Sequence, residues 1–256
     1  MSARQPLHIF HLYRQDGTSL FLHPFLDRQQ VMERLDKEEL QGLYGKEPRV
    51  ESLTMFRNEL YRIIEDEVRT WVSEARFIPR FLISAGIFVV AYFFLSFVVR
   101  DPLPLVDELA VSLGGSILAY ILLGRRYMRS EGALKKRIAL RSKVDNIHFV
   151  ESDFVREIEE ALHEKENTST DSLVAAIEAG EVPALSDPDS PLAREFMRYL
   201  EVRFRSGEYR RQEKRLLEKK GGRDLEGLKR WINSKKVDFP LFALYVNMKR
   251  RQARKP

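Results

Sequence analysis

Residues 81–99 read FLISAGIFVVAYFFLSFVV, nineteen positions without a charged side chain. As a helix they would extend about 28 Å, close to the ~30 Å hydrocarbon thickness of a bilayer. A buried helix of a water-soluble domain usually carries polar interruptions over such a length. The stretch is therefore read as a membrane-crossing helix. A second apolar run, LAVSLGGSILAYILLG at 109–124, has only sixteen residues, about 24 Å of helix. Extended back to Leu103 it becomes long enough to span, with Asp107 and Glu108 in the headgroup layer. A re-entrant segment is the alternative.

Between these runs, RDPLPLVDE at 100–108 contains two prolines that cannot continue a helix. The expected fold class is thus a mostly α-helical membrane protein built on a two-span helical hairpin, 81–124. Its spans lie at about 81–99 and 103–124, with an external loop at 100–108. Arg62, Arg69, Arg76 and Arg80 precede the first span, eight basic residues from Arg125 to Lys143 follow the second, and the loop has only Arg100. By the positive-inside rule both termini are cytoplasmic, in a membrane of the bacterial inner type. Arg125, Arg126, Arg129, Lys135, Lys136 and Arg137 are the candidate contacts for anionic lipid headgroups. Ala110, Gly114, Gly115 and Ala119, with Ser112 and Ser116 between them, would let another helix approach closely, either the first span or a second copy. Neither span has an ionisable residue near its middle, which argues against an ion pathway or proton relay.

Outside the hairpin the composition changes character. Mean hydropathy over the 256 residues is −0.35, an average of one greasy segment and a strongly charged remainder. The absence of cysteine excludes disulfides, thiolate metal sites and a cysteine nucleophile. The opening MSARQPLHIFHLYRQDG has no long apolar core, so a cleaved signal peptide is not expected.

Segment 1–47 is expected to hold a β-hairpin and a helix. Asp16-Gly17 between two aromatic-rich runs signals a two-residue turn. With Gln15 opposite Thr18, Phe10 would face His23, His8 would face Phe25 and His11 would face Leu22. His8 and His23 would then share one face and His11 the other, so the three could not converge on one metal; structural histidines are expected. Both faces of the hairpin are apolar and need cover. The helix expected from Asp27 through Val31, Met32, Leu35, Leu40 and Leu43 to Tyr44 would supply it on one side, and a partner chain or the membrane surface on the other. Segment 48–80 predicts a long amphipathic helix, with Leu53, Phe56, Leu60, Ile64, Val68 and Val72 on one face. Pro79 should break or bend it, and Trp71 and Phe77 suit a membrane interface.

Segment 125–190 carries a juxtamembrane helix and then an acidic part: residues 145–190 have thirteen acidic against two basic side chains. Helices are expected from Ser152 to about Lys165 and from Asp171 to Ala179. Segment 191–256 is basic, twenty against eight, so the net charge of +5 conceals a sharp division. Ser190-Pro191 predicts a cap and first turn for a helix reaching Lys220, followed by helices at Arg223–Ser234 and Pro240–Arg251. The basic end could pair with the acidic segment, contact anionic lipid, or bind an acidic partner. Nucleic acid is not expected, because no aromatic-interleaved basic stripe is present.

No phosphate loop, dinucleotide turn, zincin motif or nucleophile elbow occurs. Glu160-x-x-His163 has the spacing of di-metal bundles but no second copy. Asp187-Pro188-Asp189 lacks the remaining ligands of a calcium loop. No catalytic, cofactor or metal residue is assigned, and no cofactor is expected. The function expected is a membrane-anchored scaffold or adaptor that binds a protein partner or forms a homo-oligomer, its basic segments touching lipid. The alternatives are an accessory subunit of a larger membrane complex and a membrane-tethered enzyme without a recognisable motif.

Overall fold

The structure, a computed structural model, describes residues 6–26, 39–98, 106–179, 185–217 and 225–253. It is mostly helical with a small sheet, and two helices are long and apolar enough to cross a membrane. The chain divides into two units. One combines residues 1–58 with 146–256, and the other comprises 59–145.

The first unit is α/β. Strands β1 (Leu7–Tyr13), β2 (Ser19–Leu22), β3 (Leu40–Tyr44) and β4 (His148–Glu151) form a sheet of order β2-β1-β3-β4. The β1–β2 pair is antiparallel, whereas β1–β3 and β3–β4 are parallel. The hairpin forms, but one residue out of the expected register: Phe10 pairs with Leu22 and His11 with Phe21. Gly17 has φ of +80°, and its N–H donates to Arg14 O at 3.0 Å. The loop is therefore a three-residue turn closed by a left-handed glycine, with Arg14 rather than Gln15 opposite Thr18. A one-residue slip exchanges faces. His23, against Phe56, accordingly shares a face with His11, which packs on Phe21, while His8 lies on the opposite face near Phe10. This corrects the expected placement of His8 and His23 on one face, apart from His11.

Leu40–Tyr44 is a strand rather than the end of a helix; the expected helical positions 27–38 lie outside the described residues. The glycine at its centre is needed because the Phe149 ring of β4 lies over it, 2.4 Å from where a Cβ would stand. The face of the sheet carrying Phe10, Leu12, Leu22 and Leu43 enters the main core. On the other face Phe21 stacks on Phe56 at 4.3 Å between centroids. Residues 50–58 of helix α1 (Val50–Ala75) thus provide the second cover that sequence assigned to a partner or membrane surface.

The core is completed by α5 (Asp153–Glu166), α6 (Thr170–Ala179), α7 (Pro191–Arg203), α8 (Gly207–Leu217), α9 (Leu225–Lys235) and α10 (Phe239–Ala253). Ser190 caps α7 as expected, its Oγ accepting from the Ala193 N–H at 3.1 Å. The helix expected from 191 to 220 is broken at Phe204–Ser206, where Phe204 turns into an aromatic cluster with Tyr209, Phe242 and Tyr245. Every residue from Leu241 to Met248 is buried, so α10 is a central helix packed on α5, α6, α7 and α8. Acidic and basic segments meet in this unit: Lys229 pairs with Asp171 at 3.0 Å, and Arg14 bridges Glu166 and Asp238.

Glu159 of α5, nearly buried, accepts from the Tyr13 N–H at 2.8 Å, and burial pushes its carboxyl above the usual range. Beside it Gly45 allows the chain leaving β3 to press on α5, where a Cβ would lie 2.7 Å from Arg156 Cα. Backbone on both sides cannot yield. Gly45→Ala is therefore expected to destabilise this unit by ~2 kcal/mol. The check is a lower urea midpoint followed by Trp231 fluorescence in a Trp71→Phe background, which leaves Trp231 as sole tryptophan.

The second unit is helical. The remainder of α1 presents Leu60, Ile64, Val68 and Val72 as a buried stripe at four-residue spacing. α2 (Phe77–Val98) starts afresh four residues before the expected span, with Pro79 in its first turn, where a missing N–H costs nothing. α3 (Val106–Met128) has Asp107 and Glu108 in its first turn, and Glu108 accepts from Ser96 Oγ at 2.7 Å. Residues 99–105, most of the expected external loop, lie outside the described residues. α4 (Glu131–Asp145) returns the chain to β4.

Candidate functional site

Packing of α2 on α3 uses serines. Ser84 and Ser112 are buried, and Ser116 Oγ donates to Ser84 O at 2.8 Å. Of the four residues expected to form a packing stripe, Ala119 is half-buried, whereas Ala110, Gly114 and Gly115 are exposed. Among the described residues, no atom outside their own helical turn lies within 4 Å of a Cβ built on Gly114 or Gly115. Along both helices large apolar side chains are exposed, among them Phe94, Val90, Leu113, Ile117 and Ile121.

The six basic residues expected at a lipid surface divide into two groups. Lys135 pairs with Glu131 at 2.6 Å, one turn earlier on the same helix. Lys136 lies over the Trp71 ring at 5.1 Å. Arg137 makes a two-pronged bond to Glu65, Nε at 2.6 Å and Nη2 at 2.9 Å, which ties α4 to α1. By contrast Arg125, Arg126 and Arg129 are exposed, with no carboxylate within 4.0 Å among the described residues.

Arg125 and Arg129 border a groove of about 860 Å³ enclosed by α1, α2, α3 and α4. Six arginines line it, Arg69, Arg80, Arg125, Arg129, Arg137 and Arg141, against one carboxylate, Glu65. Arg80 is the fixed member. Its guanidinium lies over the Tyr120 ring at 4.0 Å and donates to Tyr120 O at 3.2 Å. Gly124, one turn beyond Tyr120, leaves the space it occupies, since a Cβ there would meet Nη2 at 2.5 Å. Arg80 Nε is buried without a hydrogen-bond partner among the described residues. Sequence reading used Arg69 and Arg80 only to orient the spans. The available signal was an arginine just before the first span set against Tyr120-x-x-x-Gly124 at the end of the second.

The remaining candidates do not converge on a metal. In the α/β unit His11 Nε2 bonds Ser19 Oγ at 3.0 Å, and His23 Nδ1 accepts from the Phe25 N–H at 3.2 Å. Burial lowers the pKa of each to about 4. His163 Nε2 donates to Tyr13 O at 2.8 Å while Glu160 is exposed, so the Glu-x-x-His pair is split. Asp187 Oδ1 accepts from the Asp189 N–H at 3.2 Å in a turn before α7. Among the described residues no three His, Asp or Glu side chains are grouped to hold a metal ion.

His8 Nδ1 meets Glu195 Oε2 at 2.6 Å, and Tyr199 O–H donates to Oε1 at 2.5 Å. Burial pushes the Glu195 carboxyl up, but these bonds and the His8 N–H outweigh it and hold it below its ordinary value. Another groove, about 600 Å³, is lined by Phe204, Arg205, Arg210, Glu213, Tyr245 and Lys249 among others. No protein-family model, curated protein or solved structure matches the chain.

Proposed function

We propose that this chain is a two-span integral membrane protein whose α/β unit serves in the cytoplasm as an adaptor for a protein partner, with basic segments on anionic lipid. The observation that carries the membrane path is the β3–β4 pair. These strands are hydrogen-bonded neighbours, yet all of 59–145 lies between them in sequence. A sheet closes on one side of a bilayer, so both flanks must emerge on that side. Two crossings meet this condition and one does not. The exposed apolar surfaces of α2 and α3 support immersion, and the basic flanks favour the cytoplasm.

The adaptor role rests on proportion. The α/β unit and its grooves offer a large surface, while the expected outer loop is nine residues with no chemistry of its own. A membrane-tethered enzyme is favoured only by the His8–Glu195–Tyr199 cluster. Glu195 also holds the His8 backbone N–H at 3.0 Å, a structural use.

The cysteine-free chain allows a direct test. Asp107→Cys in sealed cells is expected to react with an impermeant maleimide, whereas Asp16→Cys and Ser234→Cys react only after permeabilisation. Mild crosslinking in the same cells should then co-purify a reproducible partner. Labelling of either tail from outside overturns the path, and a monomer without reproducible partner overturns the adaptor role.

A further inference from the structure

We propose that the arginine groove of the helical unit is a site for one anionic glycerophospholipid, its phosphate held by Arg80, Arg125 and Arg129 and an acyl chain laid along α3. The inference rests on the membrane reading above, and replaces a diffuse basic surface by a built, saturable site.

Charge is the first argument. Six arginines face one carboxylate in the groove, and Glu65 is already engaged by Arg137. Among the described residues Arg69, Arg80, Arg125 and Arg129 have no carboxylate within 4.0 Å. Four guanidinium groups gathered without counter-charge repel one another, and an anion relieves that repulsion. A guanidinium presents paired N–H donors that match two phosphate oxygens, which selects phosphate over a small monovalent ion.

Pre-organisation is the second argument. Arg80 is not a waving surface side chain: ring, carbonyl and the space left by Gly124 fix its plane. Arg80 lines the groove with its guanidinium already held in place. Such a rigid donor loses little freedom when the ligand arrives.

Amphiphilicity is the third. Ile121 lines the groove, and Ile117 and Leu113 continue from it at four-residue steps along α3, all three about half exposed. Residues at that spacing share a helix face. The basic pocket therefore opens onto an apolar strip leading toward the middle of the helix. A soluble phosphate would use only the pocket, whereas a phospholipid uses both. Basic pockets between spans at the cytoplasmic side are suited to lipid phosphates.

The test uses the full chain in mild detergent, titrated with phosphatidylglycerol, phosphatidylcholine, or glycerol phosphate and observed by native mass spectrometry. One copy of phosphatidylglycerol should bind saturably, at least tenfold tighter than phosphatidylcholine. Arg80→Gln and Arg125→Gln should each weaken that copy about tenfold or more. Gly124→Val, which displaces the Arg80 guanidinium without removing charge, should do the same. Lys135→Gln, outside the groove, should leave binding unchanged. Carbonate-resistant insertion of each variant is measured alongside, so failure of the membrane reading is seen separately from failure of the site. Equal loss from Lys135→Gln and Arg80→Gln, or no preference over phosphatidylcholine, overturns the site. Displacement of the lipid by glycerol phosphate at equal concentration overturns the lipid assignment.

Discussion

Acidification from pH 7 to pH 4 is expected to cost the α/β unit about 6 kcal/mol of stability through its two buried histidines. His11 and His23 are buried at 0% and 3% exposure, and burial lowers the pKa of each from 6.5 to about 4. The unfolded chain takes up its protons around pH 6.5, while the folded chain resists until about pH 4. The stabilisation is therefore complete above about pH 7 and is lost as pH falls between these values. A difference of ~2.5 pKa units corresponds to about 3 kcal/mol per histidine. Glu159 opposes this, because its raised pKa means the folded state gains a proton first. Glu195 acts at lower pH, its depressed pKa protecting stability until the carboxyl is protonated. The measurement is the urea midpoint by Trp231 fluorescence across pH 4 to 7.5. His11→Gln and His23→Gln should each flatten the profile by about half. An unchanged midpoint between pH 7 and 4 would refute the account.

Phe242→Ala should cost about 4 kcal/mol and leave the unit close to unfolding. Its ring is fully buried and touches Phe204, Tyr209, Trp231, Phe239 and Tyr245, at centroid distances between 5.2 and 6.5 Å. Removing a buried phenylalanine ring costs ~3–5 kcal/mol where neighbours cannot collapse into the void. These neighbours belong to α8, α9 and α10 and to the turn after α7, so filling the void would require several helices to shift together. Against a total of ~5–15 kcal/mol the loss is large. Phe242→Leu, which retains most of the volume, should cost much less, ~1–2 kcal/mol. Equal midpoints for the alanine and leucine variants would show that α10 is not the centre of the core.

The parts of this architecture that sequence displayed are those governed by local pattern. The apolar run at 81–99, the stripe of Phe56, Leu60, Ile64, Val68 and Val72, and the Ser190 cap each depend on residues within a few turns. The parts it concealed depend on distant partners. Leu-Gln-Gly-Leu-Tyr at 40–44 is too short to distinguish strand from helix by period, and its neighbour in the sheet is β4, about a hundred residues later. The hairpin register turned on whether Gly17 closes a two- or three-residue loop, which the Asp-Gly pair alone does not decide. The break after α7 reflects burial of Phe204 in a cluster assembled from three helices. The arginine groove was hidden for the same reason. Arg125 and Arg129 were legible as basic residues after a span, but Arg80, Tyr120 and Gly124 acquire meaning only when α2 and α3 lie side by side.

The sheet that joins both flanks of residues 59–145 also fixes an order of manufacture. β3 emerges first and remains without its outer neighbour until His148–Glu151 has been made. At ~5–20 residues per second that interval lasts about 5 to 20 seconds. During that time the nascent strand presents unsatisfied amide groups to everything nearby. Completion of the α/β unit thus reports that the whole intervening segment has been synthesised, and a ribosome stalled between β3 and β4 would leave an open, adhesive edge.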